Sequence, residues 1–547
     1  MPLDALVTGR IATFAGEAGF GWVEAVGIKD GRVAFAGSAI ELETRADPFT
    51  VRHELDPDEV AIPGLTDSHL HLADGGIALE QVDLESSRTL DDGLALIADA
   101  HRRLPDGEWI EGHGWDPDRW GRWPTADDLR GAAAGRRVAL WAHDHHSLWV
   151  SGPALEAAAV DRDTADPPGG IIRRADDGAP TGVLHEGASR LVTDRVPRPT
   201  EDRYERLIAA LAKQLVALGV VAVHDPGALA LQTGLGPSIA AYRQLAARRA
   251  LPLRVHVCIR EEQLAAAADA GLRSGDRLSA DGDRARLGWM KLFADGTLAS
   301  RTAALLDPIE SEPGQPLPAG TERGVFITPP ERLAELASRA ADVGIATIIH
   351  AIGDHAVRAA LDALEPTAGR TPLMPRLEHV QLLHPDDRGR FAGSGIAASV
   401  QPVHLRADAA AARKLWGDRA ERNGYMWRTL VDTGAVVAFG TDAPVEPIDP
   451  WPGLSMAVTR SDPGWPAGTP PFGPGEALTL ERALRASCVA PPLTAGERDR
   501  GRLVTGQRAD LVVLPIESLI EPVVPGGALA TARPRLVLVD GQVGYEA

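Results

Sequence analysis

Five short apolar segments, far apart in the chain, each lead into a residue that can bind a metal ion or carry a proton. The segments cover residues 60–65, 287–290, 345–349, 377–378 and 436–441, and four of them have the composition of buried strands. The carboxyl ends of parallel barrel strands converge on one face, where active sites form. We therefore expect one shared site containing the residues that follow these segments: His69, His71, Lys291, His350, His379 and Asp442.

The chain alternates between helical and strand-like segments from about residue 200 onwards. Residues 201–218 have helical periodicity, and strand-like runs follow at 220–224, 345–349, 396–401 and 435–440. Alternating helices and buried strands are typical of a parallel sheet. The alternation predicts an α/β fold, a (β/α)8 TIM-like barrel spanning about residues 58–488.

The two ends of the chain are rich in short β-segments. These cover residues 5–14, 23–28 and 32–36 at one end, and 509–515 and 535–539 at the other. We predict that 1–57 and 489–547 meet in a small β-sandwich domain; two independent β-appendages are the alternative. Residues about 75–200 are rich in Trp, Gly, Pro and Asp and fit the alternation poorly, which predicts an insertion over the barrel mouth.

Charge and composition exclude several classes of protein. The net charge is -20, from 56 basic and 76 acidic side chains, which argues against a nucleic-acid partner. No apolar run reaches the ~18 residues of a membrane span, and residues 1–14 lack the features of a secretory signal. Cys258 and Cys488 leave one disulfide open but favour reduced thiols. We expect a cytoplasmic protein; a homodimer is left open.

The residue types of the predicted site suit a divalent cation. His69 and His71 alternate with Leu70, so on an extended segment both rings point the same way. Imidazole and carboxylate ligands fit Zn, Mn, Fe or Ni. The chain has only four lysines, and Lys291 stands where Arg would not serve, unless it simply pairs with Asp295. Each residue alone has an ordinary structural explanation, but together they favour a site.

Six motifs identify a family resemblance. The sequence resembles the amidohydrolase superfamily, and within it the amidohydrolase family 3 branch that includes N-substituted formamide deformylases. The resemblance runs from about residue 3 to 540. The motifs are PGLTDSHLH (63–71), KLFADG (291–296), HAIGD (350–354), EHVQ (378–381), FGTDAP (439–444) and GQRADL (506–511).

The resemblance implies a binuclear metal centre, with zinc as the first expectation and Mn, Fe or Ni as alternatives. His69, His71 and Asp442 would hold one ion, and His350 and His379 the second. Lys291 would carry a carbon-dioxide-derived carbamate that bridges both, which requires a neutral amine that Lys can supply. Asp442 and Lys291 would be the catalytic residues, Asp442 taking the proton as a metal-activated hydroxide attacks the carbonyl.

The function predicted from this resemblance is hydrolysis of a carbon–nitrogen bond other than a peptide bond, in a small linear amide or formamide. The Trp-rich insertion favours an apolar or aromatic substituent. We predict substrate contacts from Trp115, His146, Asp295 and Gln381. Two alternatives stay open: a mononuclear deaminase or ester hydrolase of the same superfamily, and a non-catalytic binding or regulatory protein on the same barrel.

Overall fold

The computed structural model describes residues 2–105, 107–228, 234–309, 322–520 and 522–547. The described residues form three sheets: an eight-stranded parallel sheet, an eight-stranded sheet from both chain ends, and a six-stranded sheet between them in sequence. No helix in the described part of the chain is both long and apolar enough to cross a lipid bilayer.

The parallel sheet is a nearly closed barrel, which confirms the predicted TIM-like fold. Neighbouring strands follow the chain order without interruption. The first and eighth strands meet through backbone hydrogen bonds: Ser68 N–H donates to Phe439 O (2.9 Å) and Asp442 N–H to His69 O (2.7 Å). The eight barrel strands, numbered one to eight in chain order, are Leu65–Asp67, Val220–Asp225, Arg254–Arg260, Ala285–Phe293, Thr347–Ala351, Arg376–His379, Ala397–Val400 and Val437–Phe439.

Helices surround the barrel and bury their apolar faces against the strands in one continuous core. Thr200 caps the long helix after the insertion by accepting a hydrogen bond from Arg203 N–H (3.3 Å). The helices outside the insertion are Ala39–Glu43, Leu72–Ala78, Glu201–Ala217, Gly236–Ala247, Leu264–Asp269, Pro330–Asp342, Asp354–Leu364, Leu405–Trp416, Asp418–Asn423, Trp427–Asp432, Pro450–Thr459, Leu480–Cys488 and Ala490–Thr494.

Both chain ends contribute to one sheet rather than to two separate appendages. Strand Glu59–Pro63 pairs antiparallel with Leu511–Pro515, which joins the N-terminal strands to the C-terminal ones. Because the strands are continuous in one sheet, the β-sandwich arrangement stays a prediction. The strands of this terminal sheet are Ala5–Ala12, Trp22–Lys29, Arg32–Gly37, Val51–Glu54, Glu59–Pro63, Leu511–Pro515, Leu536–Val539 and Gln542–Glu546.

The apolar segment at residues 60–65 is not one barrel strand, and that prediction was wrong. Glu59–Pro63 belongs to the terminal sheet, beyond the boundary expected at residue 57, and Leu65–Asp67 starts the barrel. Gly64 makes the break between them. A Cβ atom there would lie 2.6 Å from both methyl groups of Val221 in the second barrel strand, so any other residue would force Val221 to move.

The predicted insertion has a sheet and apolar clusters of its own. It is connected to the barrel through helices Leu72–Ala78 and Glu201–Ala217. Trp115 and Trp149 are fully buried at its centre. Its strands are Val82–Asp83, Ile110–Trp115, Val138–Ala142, Ser147–Val150, Gly170–Arg174 and Pro180–Glu186, and its helices are Leu90–Arg103, Pro117–Trp120, Leu129–Ala133, Gly152–Ala157 and Arg190–Thr193.

Candidate metal centre

The six predicted ligands lie in or just after barrel strands, near their carboxyl ends, and all are buried. His69 and His71 follow the first strand, Asp442 follows the eighth, and the other three lie within the fourth, fifth and sixth strands. Their exposed fractions lie between 1% and 6%. His379 and Asp442 adopt left-handed backbone conformations, with φ of 75° and 62°. Such conformations are strained for residues with a side chain and often mark functional sites.

One group of potential ligands surrounds the first oxygen of Asp442. Its Oδ1 lies 3.3 Å from His69 Nε2 and 3.5 Å from His71 Nε2. One ligand atom from each of the three residues lies within 4.8 Å of the other two. These separations suit one divalent ion bound by two imidazoles and a carboxylate.

A second group surrounds the other oxygen of Asp442, and it includes a residue that sequence reasoning missed. Oδ2 of Asp442 lies 3.4 Å from His404 Nε2 and 4.0 Å from His379 Nδ1. His404 follows the seventh barrel strand in the short helical turn Pro402–His404. Its position just after a predicted strand was the available signal, but two residues, Pro402 and Val403, separate it from the run at 396–401.

Three of these imidazoles have nitrogens without a partner. His69 Nε2, His379 Nδ1 and His404 Nε2 are buried and make no hydrogen bond within the described residues. A buried polar atom without a partner costs about 1–3 kcal/mol. Divalent ions held by the two groups would satisfy all three atoms, so the residues present fit a metal centre.

Glu378 and Arg376 fix the orientation of His69 from the Nδ1 side of its ring. Glu378 Oε2 lies 2.5 Å from His69 Nδ1, and Arg376 donates from Nε to Glu378 Oε1 (3.0 Å) and from Nη2 to Ser68 O (2.9 Å). Burial opposes the charge on Glu378, but Arg376 and His69 together lower the pKa of its carboxyl to about 2. A carboxylate on Nδ1 fixes the tautomer that leaves Nε2 free for an ion.

Lys291 carries a perturbed amine among the histidines. Burial lowers the pKa of Lys291 to about 8. Burial and the positive charge of Lys291 lower the pKa of His69 to about 4 and hold the pKa of His350 well below its usual range. Asp442 keeps its charge in spite of burial, because the surrounding histidines hold the pKa of its carboxyl well below its usual range.

His350 lies beside the second group but is already hydrogen-bonded. Its ring centre lies 4.5 Å from that of His379, and its Nε2 lies 3.1 Å from Gly296 O. Only Nδ1 of the ring is left to face an ion. Its role as a ligand therefore stays a prediction.

Asp295, predicted to contact substrate, lies behind His350. Its carboxylate accepts backbone hydrogen bonds from Ile352 (3.0 Å), Gly353 (2.9 Å) and Ala304 (2.8 Å), and lies 3.6 Å from His350 Nε2. It is 0% exposed, and burial raises the pKa of its carboxyl to about 7. With all these partners it is placed to hold His350, and a direct substrate contact is not what this geometry favours.

A cavity of about 2070 Å³ opens over the metal centre, lined by the barrel strand ends and by the insertion. His146 and Gln381 line it, as a substrate contact requires. Burial opposes the charge on His146, but the negative charge of Glu186 and the hydrogen bond to it (2.9 Å) raise the pKa of His146 to about 9. Gln381 donates from Nε2 to Asp408 (2.9 Å), and its Oε1 has no partner among the described residues.

Trp115 packs in the core of the insertion. It is 0% exposed, and its indole N–H donates to Leu140 O (2.8 Å). Its ring packs against those of Trp120, Trp123 and Trp149. This geometry favours a structural role, and the predicted substrate contact stays untested.

Known proteins resemble this chain over almost its whole length. The model of the amidohydrolase family matches residues 58–545. YtcJ of Bacillus subtilis (strain 168), named as an amidohydrolase, is 30% identical over 528 residues, 96% of each chain. The N-substituted formamide deformylase of Arthrobacter pascens is 27% identical over 542 residues, 96% of this chain and 95% of its own. The solved structure of an uncharacterized metal-dependent hydrolase from Pyrococcus horikoshii OT3 superposes with a TM-score of 0.73 at 25% identity, covering 95% of this chain and 98% of that one. The chain belongs to the amidohydrolase family.

Proposed function

We propose that this chain is a metal-dependent hydrolase that cleaves a carbon–nitrogen bond other than a peptide bond, in a linear amide or formamide. The observation that carries the proposal is the Asp442 carboxylate, whose two oxygens face two separate groups of histidines. The relative named as a formamide deformylase supports the bond type. The relative named as a metal-dependent hydrolase supports the need for an ion.

Divalent ions, when bound, lower the pKa of a water molecule and polarise a carbonyl group. The first group, His69, His71 and Asp442, would hold one ion, and His379 with His404 or His350 would hold the second. Asp442 is the proton carrier in this proposal. Its depressed pKa keeps it as a carboxylate, so it can accept a proton from the attacking water and deliver it to the leaving nitrogen.

Lys291 is proposed to carry a carbamate. Its neutral amine would attack carbon dioxide, forming an N–C bond and releasing one proton, to give an anionic ligand between the two groups. The pKa of about 8 supports this step, because a much larger fraction of the amine is neutral at pH 7 than in an exposed lysine. An arginine could not perform it.

A mononuclear deaminase or ester hydrolase is the second candidate. The contact between His350 Nε2 and Gly296 O favours it, because that contact occupies one ring nitrogen of a residue predicted to hold the second ion. In such an enzyme Lys291 would have no bridging role, so its removal would leave the ion and the rate largely intact.

Metal content and turnover of a Lys291→Ala variant test the proposal. We expect two ions per wild-type chain by elemental mass spectrometry, and hydrolysis of N-formyl amines that bicarbonate supports. Lys291→Ala should lose at least one ion and nearly all turnover. Lys213→Ala is the matched control, because Lys213 lies exposed on helix Glu201–Ala217.

Two results would contradict the proposal in different ways. A Lys291→Ala variant that keeps one ion per chain and its rate would favour the mononuclear enzyme. A metal-loaded wild-type protein that hydrolyses no amide on a panel of N-acyl amines would favour the non-catalytic binding protein.

A further inference from the structure

Arg260 is a cation beside the metal centre to which the sequence analysis assigned no role. It is the last residue of the third barrel strand, and its strand neighbour in register is Lys291. Its side chain lines the cavity. The backbone there is held, because Arg260 N–H donates to Gln263 Oε1 (2.8 Å). The backbone of Arg260 is therefore held in place, and the residue lies on the active-site face of the barrel.

The Arg260 guanidinium forms no ion pair within the part of the chain that the structure describes. Its Nη1 is buried without a hydrogen-bond partner, and no carboxylate among the described residues pairs with it. Its contact is an aromatic one: the guanidinium carbon lies 4.6 Å from the centre of the Phe293 ring. Lys291 Nζ lies 4.8 Å from the same ring centre. Arg260 therefore contacts the same aromatic ring as Lys291, the residue proposed to carry the carbamate.

The acidic residues next to Arg260 do not neutralise it. Glu261 is directed to Arg332, at 3.7 Å. Burial lowers the pKa of Arg260, and the negative charges of Glu262 and Asp74 oppose that shift without cancelling it. Arg260 is half-buried, but its buried Nη1 lacks the hydrogen bond that a buried polar atom normally makes, and an anionic ligand in the cavity would supply the missing acceptor.

We infer that Arg260 binds a carboxylate of the substrate, which would make the substrate an N-formyl or N-acyl amino acid or a similar amide-bearing acid. The planar guanidinium matches a carboxylate through two parallel hydrogen bonds. Arg260 and Lys291 both lie within contact distance of the Phe293 ring (4.6 and 4.8 Å to its centre), which suits an acid group a few bonds from the scissile carbonyl. The inference rests on the proposed function for the bond that is cleaved.

A matched pair of substrates tests the inference by turnover. N-formylphenylalanine and N-formyl-2-phenylethylamine share the amide and the aromatic ring and differ in the carboxylate. We expect kcat/KM to favour the acid by about 10- to 100-fold, the range of hydrogen bonds to a charged group. Arg260→Met should abolish the preference, and Arg260→Lys should keep part of it. Arg195→Met, a charge change at an exposed residue lining the same cavity, should leave the preference intact.

A binding measurement keeps the test independent of catalysis. Calorimetric titration with 3-phenylpropanoate, which has no bond to cleave, should show binding to the metal-loaded wild-type protein and at least 10-fold weaker binding to Arg260→Met. The alcohol 3-phenyl-1-propanol should bind both proteins alike. Thermal unfolding of Arg260→Met and Arg260→Lys verifies that both variants fold.

The outcomes separate this inference from the proposed function. If neither substrate is hydrolysed but 3-phenylpropanoate binding still depends on Arg260, the proposed function fails and the acid site stands. If both substrates are hydrolysed equally well by the wild type and by Arg260→Met, amide hydrolysis stands. Arg260 is then a structural cation over Phe293, and the inference is overturned.

Discussion

Replacing Glu378 with Gln should weaken metal binding without touching a metal ligand. Glu378 is 0% exposed and lies 2.5 Å from His69 Nδ1. The substitution removes the charge that fixes the His69 tautomer, while the shape of the side chain is kept. Residues behind metal ligands typically contribute 10- to 100-fold in affinity, so we expect a loss of about 1.4–2.8 kcal/mol in binding free energy.

The substitution should also destabilise the fold, because it leaves Arg376 partly uncompensated in the barrel interior. Removing one partner of a buried ion pair costs about 3–5 kcal/mol, and the retained hydrogen-bonding amide favours the lower end. Asp510→Asn is a matched control. Asp510 pairs with Arg254 at 2.8 Å, both side chains are at most 4% exposed, and neither contacts a candidate ligand.

Competition of the apo proteins with a chromophoric zinc chelator measures the affinity, and urea unfolding of the apo proteins measures the stability. Only Glu378→Gln should show a lower zinc affinity. Equal zinc affinity in the wild type and Glu378→Gln would refute the reasoning that Glu378 prepares His69 for an ion.

Three further predictions concern the insertion, the pH dependence of stability and the strand junction. Trp115→Ala should destabilise the protein by about 3–5 kcal/mol in urea unfolding yet leave kcat/KM within a few-fold of the wild-type value. A loss of kcat/KM without a loss of stability would instead support a contact between Trp115 and the substrate. The hydrogen bond to Glu85 (2.7 Å) outweighs burial and raises the pKa of His143 from 6.5 to about 9. Protonated His143 therefore stabilises the fold fully below pH 6.5, and this contribution is lost as the pH rises to about 9. Between these pH values, the melting temperature of His143→Gln should change less than that of the wild type. Parallel curves for the two proteins would contradict the prediction. Gly64→Ala should cost about 1–3 kcal/mol by urea unfolding because the new Cβ meets Val221, and an unchanged midpoint would show that the junction can open.

The sequence predicted the barrel because its signal is local and repeated. Apolar segments that follow amphipathic helices indicate a parallel sheet. When such a sheet closes into a barrel, the carboxyl ends of its strands lie on one face. Residues such as His350 and Asp442 could therefore be placed on one face without any knowledge of distances. The split at Gly64 could not be predicted, because residues 60–65 are apolar throughout and only pairing partners distant in sequence separate them.

The sequence by itself determined which chemistry the strand ends can perform, since residue type and position along a strand are written in the chain. Tertiary structure alone decided how those residues are used. It brought His404 to Asp442, placed Glu378 beside His69, turned Asp295 away from the cavity and left Nη1 of Arg260 without a hydrogen bond to any described residue. Each outcome depends on side-chain directions and on contacts between distant strands, and no periodicity in the sequence records them.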